Sequence, residues 1–304
     1  MKKQFILLVG LFVLFSVASL VYSLCMPRVF GQTSLGTERP RITKTASTAR
    51  SEASNSKAFV AAAATNASSV GRLAWPFAGR SQIGWAIYVP LIAHTIGAEP
   101  DAGTAEFAAN LSYWQEVKGL PATGVIDADT MQAFAGFWQS QRLGKNAPAA
   151  NRELLSAPIT DFWDAGRDPT MLQLERNTYA AYRRLIAAAA KDLGKVLKFS
   201  SNGELAPGEK FLRIVSAYRS PEYQAALRKR EPNAGGIALA KNSPHFTGHA
   251  LDIYVGGEPV TTKDPNRLIQ VQTPAYRWLV KNASKFGFYP YFYEPWHWEY
   301  VPGR

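Results

Sequence analysis

The sequence predicts an α+β domain, with a central antiparallel sheet and flanking helices, preceded by a small all-α module and an N-terminal membrane segment. Three observations lead to this fold class. Short β-like runs alternate with helical segments after about residue 210, apolar residues recur at helical spacing before residue 144, and one long apolar run lies near the N-terminus.

The first element is the apolar run at residues 5–24, which is long enough to cross a bilayer. Lys2 and Lys3 precede it and no charged residue follows before Arg28, so the rest of the chain is expected outside the cytoplasmic membrane. We therefore expect residues 1–30 to be a signal anchor, with the cytoplasmic membrane as a partner. The alternative is a cleaved signal peptide and a secreted chain. Either way, the predicted location is the periplasm or the cell wall.

The second element is a basic linker. Residues 31–72 are rich in Ser, Thr and Ala and contain few large apolar side chains, which predicts a flexible tether. The whole chain has a formal net charge of +11, and this excess of positive charge indicates an anionic partner. For an exported chain we expect that partner to be the anionic cell wall, and we expect no nucleic acid.

The third element is a helical module at residues 73–147. Phe107 and Trp114 lie on one face of a predicted helix, and Asp127 can cap a second one. Residues 119–143 resemble the small three-helix peptidoglycan-binding module that is attached to many wall hydrolases. The alternative is a helical spacer whose aromatic side chains only form its core.

The last elements are a connector at residues 148–170, which contains three prolines, and the α+β domain at residues 171–304. The domain begins with a strong helical pattern. Its predicted helices cover residues 177–194, 221–229 and 274–286, and its predicted strands cover residues 211–215, 251–255 and 296–301.

The chain contains few residues that could bind a metal ion. Its one cysteine, Cys25, excludes a disulfide framework and a cysteine-rich metal site. Any metal must therefore be held by carboxylates and by some of the four histidines, His94, His245, His249 and His297. His94 lies in an apolar run and is expected to be structural, and His249 is expected to pack or line a site without binding metal.

Two short clusters combine histidines with carboxylates. Hydrolytic zinc sites take three protein ligands and leave a fourth position for water. His245, Asp252 and His297 could supply two imidazoles and one carboxylate, with Gly248 allowing the chain to turn between the first two. Glu294 would then be free for proton transfer.

The same clusters resemble a known family. Ser-x-His-x-x-Gly-x-Ala-x-Asp, read from Ser243 to Asp252 and followed by Glu-x-x-His at residues 294–297, is the signature of zinc D-alanyl-D-alanine carboxypeptidases. These enzymes share a fold group with lysostaphin-type endopeptidases and the hedgehog signalling domain. The upstream residues 216–220 and the ending 288–300 look like the vancomycin-resistance type. The resemblance covers about residues 211–303.

The resemblance implies a role for each matching residue. His245, Asp252 and His297 would bind Zn²⁺, and Glu294 would be the general base and later the acid. Arg219 would engage the scissile carbonyl or the terminal carboxylate of the substrate. The substrate-binding set is completed by Ser243 and Gln224.

The predicted function is therefore a zinc D,D-carboxypeptidase that acts on peptidoglycan stem peptides ending in D-Ala-D-Ala. A peptidoglycan endopeptidase or an L,D-carboxypeptidase on the same zinc site is the first alternative. A non-catalytic wall-binding protein is the second, although the complete ligand set and the retained Glu294 and Arg219 argue against it.

Overall fold

A computed structural model describes residues 57–144, 147–230 and 243–303. The predicted membrane segment and the first part of the predicted linker lie outside these ranges. Within them, no helix combines the length and the apolar composition that a bilayer crossing requires.

Both kinds of secondary structure are present, which confirms the α+β class. The α-helices are α1 Lys57–Ser69, α2 Val89–Ile96, α3 Ala105–Val117, α4 Ala128–Gln139, α5 Arg176–Leu193, α6 Pro221–Arg230, α7 Asp264–Gln272 and α8 Pro274–Asn282. The strands are β1 Ala74–Phe77, β2 Arg80–Ile83, β3 Leu154–Ser156, β4 Gln173–Glu175, β5 Ile214–Ser216, β6 Ala250–Ile253, β7 Phe288–Pro290 and β8 His297–Tyr300. Short 3₁₀ helices include Pro244–Thr247 and Ala283–Phe286.

The C-terminal part is built on a four-stranded antiparallel sheet with the order β5-β6-β8-β7. One face of β6 and β8 is apolar, and Leu251 and Trp298 from this face are almost completely buried. Helix α8 covers it, with the rings of Tyr276 and Trp298 6.3 Å apart. Helix α5 packs behind α8, where Asp192 accepts a hydrogen bond from the Trp278 indole at 2.8 Å. The predicted central antiparallel sheet with flanking helices is therefore present.

The expectation of an all-α module before residue 144 is wrong. Strands β1 and β2 form an antiparallel hairpin whose tight turn places Ala78 and Gly79 at positive φ angles of 50° and 74°. Such a turn matches the twist of a two-residue hairpin, and the fully buried Trp75 holds β1 against the neighbouring helices. The helical spacing of aromatic residues in this region concealed the hairpin.

The expected linker also needs correction at its end, because residues 57–69 form helix α1. Its alanines favour a helix, and its one buried polar side chain connects it to the rest of the fold. The Asn66 amide donates to Gly124 O at 2.9 Å and accepts from Ile126 N at 2.8 Å. These two long-range hydrogen bonds explain why a segment with the composition of a tether forms an ordered helix.

The region expected to be a connector contains strand β3, which pairs with β4 in a separate two-stranded sheet. The helices before residue 144 and the C-terminal sheet share one hydrophobic core. Phe292 is central to this contact, because its ring lies 4.8 Å from that of Phe77 and 5.5 Å from that of Trp138. The exact domain boundaries stay a prediction.

Candidate metal centre

The register of the sheet brings two of the candidate ligands together. Asp252 on β6 lies directly opposite His297 on β8, and Ser216 on β5 lies opposite Asp252 from the other side. Because side chains alternate along a strand, directly paired residues project from the same face of the sheet. This is the face opposite to the one that α8 covers.

The third candidate, His245, reaches the same place from the 3₁₀ helix that precedes β6. Gly248 ends this helix with a φ of 69°, a conformation that favours glycine. A Cβ atom at this position would also lie 2.8 Å from the backbone nitrogen of Glu175. Both the turn and the close approach to β4 therefore require a glycine, and together they return the chain to β6.

The three side chains form one buried cluster. Oδ1 of Asp252 lies 3.3 Å from Nε2 of His245 and 3.0 Å from Nδ1 of His297. One nitrogen or oxygen atom from each residue lies within 4.8 Å of the others. All three residues are at most 4% exposed, so the donor atoms converge on a space shielded from bulk water.

The hydrogen bonds of His245 fit a metal ligand. Its Nδ1 lies 2.6 Å from the carbonyl oxygen of Ala217, which requires the proton to be on Nδ1. Its Nε2 is buried and makes no hydrogen bond, and burial lowers the pKa of the imidazole to about 4. A neutral imidazole with a buried lone pair of this kind is typical of a metal site, and two histidines with one carboxylate suit zinc.

The charges of His297 and Asp252 are strongly coupled. Burial alone would lower the pKa of His297, but carboxylates at both of its nitrogens outweigh this effect and raise the pKa to about 9. Burial would raise the pKa of Asp252, yet the two histidines and Arg219 hold it well below its usual range. An ionised Asp252 is the form that a cation requires.

Arg219 follows strand β5 and supports the cluster. Its Nη2 donates to Oδ2 of Asp252 at 3.0 Å, which leaves Oδ1 to the histidines. Its Nε donates to the Ser216 hydroxyl and its Nη1 to Oε1 of Gln224, each at 3.2 Å. The side chain keeps 13% of its surface exposed while its guanidinium contacts a candidate metal ligand.

Glu294 lies in the loop between β7 and β8, and its backbone carbonyl accepts a hydrogen bond from His297 N at 2.9 Å. The residue is 8% exposed. Burial raises the pKa of its carboxyl to about 7, although the nearby charges of His297 and Arg219 oppose this shift. A carboxyl group with such a pKa can both accept and donate a proton near neutral pH.

The other predicted site residues have identifiable structural partners. Ser243 is buried and its hydroxyl accepts from His245 N at 3.3 Å, so it caps the 3₁₀ helix. Gln224 is buried behind Arg219. A contact of either residue with substrate stays a prediction.

The two remaining histidines lie apart from the cluster. Nδ1 of His249 is 2.8 Å from the Thr178 hydroxyl and 3.5 Å from Glu175. His94 lies in the last turn of α2. Neither belongs to the group of candidate ligands in the described part of the chain.

Two further residues lie near the cluster, and sequence reasoning identified the contacts of neither. The fully buried Glu299 faces Nε2 of His297 at 3.1 Å, and Arg142 forms an ion pair with Glu299. The alternation of β8 could have indicated Glu299, which is two residues after His297 and therefore on the same face. Nothing in the sequence could have indicated Arg142, which is 157 residues away from its partner.

A comparison with protein families finds a match to the family model VanY, described as D-alanyl-D-alanine carboxypeptidase, over residues 171–303. A search of curated proteins finds no match. The family match includes every residue of the cluster and supports D-alanyl-D-alanine carboxypeptidase activity. It does not extend to the residues before 171, where the resemblance to a peptidoglycan-binding module stays a prediction.

Proposed function

Since residues 171–303 form a domain of the VanY family of D-alanyl-D-alanine carboxypeptidases, we propose that this chain is a zinc-dependent enzyme that removes the terminal D-alanine from peptidoglycan stem peptides. The observation that carries the zinc assignment is the buried cluster of His245, Asp252 and His297, in which Nε2 of His245 is directed at the other two residues without a hydrogen bond. Such a group is costly to bury unless it has a ligand.

Each ligand is held by a partner that fixes its orientation. Ala217 O holds the ring of His245, and Arg219 holds one oxygen of Asp252. Zinc bound at this cluster would lower the pKa of a water molecule and polarise the scissile carbonyl. The chain itself supplies the ligand atoms and the shielding from bulk water.

Glu294 is the proposed proton carrier. Its carboxylate would accept a proton from the attacking water and then donate it to the departing D-alanine amine, which must be protonated to leave. The backbone of Glu294 forms hydrogen bonds with Tyr291 and with the proposed ligand His297, which supports a position of the residue close to the cluster. The interactions of its charge with those of His297 and Asp252 support this position.

Arg219 is the proposed group that recognises the chain end. A planar guanidinium binds a carboxylate through paired charge-assisted hydrogen bonds. The side chain is partly exposed, and a substrate carboxylate would share or replace its contacts with Ser216 and Gln224 while Nη2 stays on Asp252. This arrangement favours an exopeptidase, which must distinguish a free C-terminal carboxylate from a continuing chain.

The setting of the reaction follows from the substrate and from the sequence. Peptidoglycan stem peptides lie outside the cytoplasmic membrane, which agrees with the export expected from residues 5–24. The net charge of +11 suits an anionic wall. Localisation outside the membrane and anchoring by the N-terminal segment are parts of this proposal.

The test uses the full-length chain, stripped of metal with a chelator and then supplied with zinc. The substrates are a linear pentapeptide ending in D-Ala-D-Ala, the corresponding tetrapeptide and a cross-linked muropeptide, and the released amino acid is identified by mass spectrometry. We expect about one zinc per chain and release of D-alanine from the pentapeptide only when zinc is present. Glu294→Gln should keep zinc and lose roughly two orders of magnitude in kcat, whereas Glu116→Gln, at an exposed position on α3, should change neither.

Three outcomes would contradict the proposal. Preferential cleavage of the tetrapeptide would indicate an L,D-carboxypeptidase, and faster cleavage of the cross-linked muropeptide would indicate an endopeptidase. Binding of zinc without any cleavage would favour a wall-binding protein.

A further inference from the structure

The metal ligand His297 has a second carboxylate at its far nitrogen. Nε2 of His297 lies 3.1 Å from Oε1 of Glu299, while Nδ1 faces Asp252. A carboxylate in this position accepts a hydrogen bond from Nε2–H, fixes the ring and directs the other nitrogen to the metal. Glu299 is fully buried, so its charge is costly unless other groups neutralise it.

Besides His297, the groups that hold the Glu299 carboxylate come from outside the residues that match the family. Nε and Nη2 of Arg142 donate to Oε1 of Glu299 at 3.0 and 2.5 Å. The backbone nitrogen of Leu143 donates to Oε2 at 3.0 Å. Both oxygens of the carboxylate are therefore held by two consecutive residues that follow helix α4.

Arg142 is itself fixed on two sides. Its Nη1 donates to Oε1 of Gln139, the last residue of α4, at 2.6 Å. Its guanidinium carbon lies 4.0 Å from the centre of the Tyr291 ring, and that ring contacts His297 edge-on at 6.0 Å. Arg142 and Tyr291 thus approach the ligand from different directions, one through Glu299 and the other directly.

We propose that Arg142, acting through Glu299, is a positioning residue for the metal ligand His297, so that residues 139–143 upstream of the family match form part of the metal site. The inference rests on the proposed zinc function. A fixed guanidinium holds Glu299 in the place where its Oε1 accepts a hydrogen bond from Nε2–H of His297. Loss of the guanidinium frees the carboxylate to move, and the imidazole then loses its fixed orientation.

A purely structural ion pair between the helices and the sheet would have a different signature. It would lower the free energy of unfolding when broken but would leave the affinity of the folded protein for metal unchanged. A positioning residue changes the metal affinity while the protein remains folded. The readout is therefore the zinc dissociation constant, obtained by competition with a chelator of known affinity, together with the absorption bands of the cobalt-substituted protein.

The experiment compares Arg142→Lys, Glu299→Gln and the double variant in the full-length chain, with Arg80→Lys on the exposed β2 edge as the matched control. Lysine keeps the positive charge of Arg142 but lacks the planar guanidinium that forms paired hydrogen bonds. Glutamine keeps the shape of Glu299 but lacks its negative charge. We expect each single variant to raise the zinc dissociation constant about 10- to 100-fold and to change the cobalt bands, as for other partners of metal-bound histidines. The double variant should bind zinc only slightly more weakly than each single variant does, because both substitutions act through one contact. The control should match the wild type.

The outcomes separate this inference from the proposed function. Arg142→Lys and Glu299→Gln proteins that are less stable but bind zinc within about twofold of wild type would overturn the positioning role alone. Additive losses in the double variant would also overturn it, because they would show two independent effects. A wild type without zinc affinity would overturn the metal site itself, and with it this inference.

Discussion

Arg219 contacts a candidate metal ligand and is also partly open to solvent. The contact with Asp252 and the proposed recognition of substrate make different demands on the side chain. Substrates that differ only in the terminal carboxylate can separate these two roles of Arg219. The residue is therefore the most informative single position for the choice between exopeptidase and endopeptidase.

We expect wild type to prefer a free-acid pentapeptide over its C-terminal amide by roughly ten- to a hundredfold in kcat/KM, because the amide lacks one charged contact. Arg219→Lys should lose much of this preference, since an ammonium cannot form the paired hydrogen bonds. The measurement is kcat/KM on both peptides, with zinc content checked in parallel. A wild type that cleaves both peptides equally would contradict the assignment. If Arg219→Lys lowers kcat/KM equally on the free-acid and the amidated peptide, Arg219 acts on the scissile carbonyl instead.

Sequence reasoning located most of the cluster at the residue scale because the signals were local. His245 and Asp252 lie seven residues apart and Glu294 precedes His297 by three, so short motifs contained them. Glu299 and Arg142 form a contact only after the whole chain has folded. Their pairing depends on packing, for which the sequence provides no spacing rule.

At the scale of elements, the 3₁₀ helix before β6 determines where His245 lies. We expect Gly248→Ala to destabilise the protein by about 1–3 kcal/mol, because its φ of 69° is strained for alanine and the new Cβ would lie 2.8 Å from Glu175 N. The measurement is urea unfolding of the full-length chain. Gly136→Ala is the control: this exposed site on α4 has no atom within 4 Å of the new Cβ. It should stabilise by up to about 1 kcal/mol. Equal changes in the free energy of unfolding for the two variants would contradict the strain expected at position 248.

The elements that sequence periodicity indicated well are those with a single strong pattern. Helix α5 was expected at residues 177–194 and occupies Arg176–Leu193. The β1–β2 hairpin was missed because each strand has only four residues and its buried Trp75 fits a helical pattern equally well. Helix α1 was missed because its order comes from a contact with a distant loop, whereas its composition resembles that of a linker.

At the scale of the whole molecule, Asn66 joins α1 to the loop before α4. We expect Asn66→Ala to destabilise the fold by about 1–3 kcal/mol, because the backbone groups of Gly124 and Ile126 lose their buried partner. Ser68→Ala, at an exposed position on the same helix, should change stability by less than about 0.5 kcal/mol. Chemical unfolding measures both. A neutral Asn66→Ala would show that α1 is not part of the cooperative fold.

The cluster joins residues that are far apart along the chain. His297 lies 45 residues from Asp252, and Glu299 lies 157 residues from Arg142. Contacts of such long range form only after much loop-closure entropy has been lost, which places them late in folding. Interactions absent from the transition state change the unfolding rate and leave the folding rate nearly unchanged.

The kinetic consequence concerns the lifetime of the enzyme. We expect zinc to slow unfolding at least tenfold while the refolding rate stays within about twofold, as measured by stopped-flow mixing with denaturant in zinc or in chelator. A zinc-dependent increase in the refolding rate would show that the cluster forms early. If only the unfolding rate responds, the proposed metal would serve the chemistry and would also determine how long each folded molecule survives without refolding.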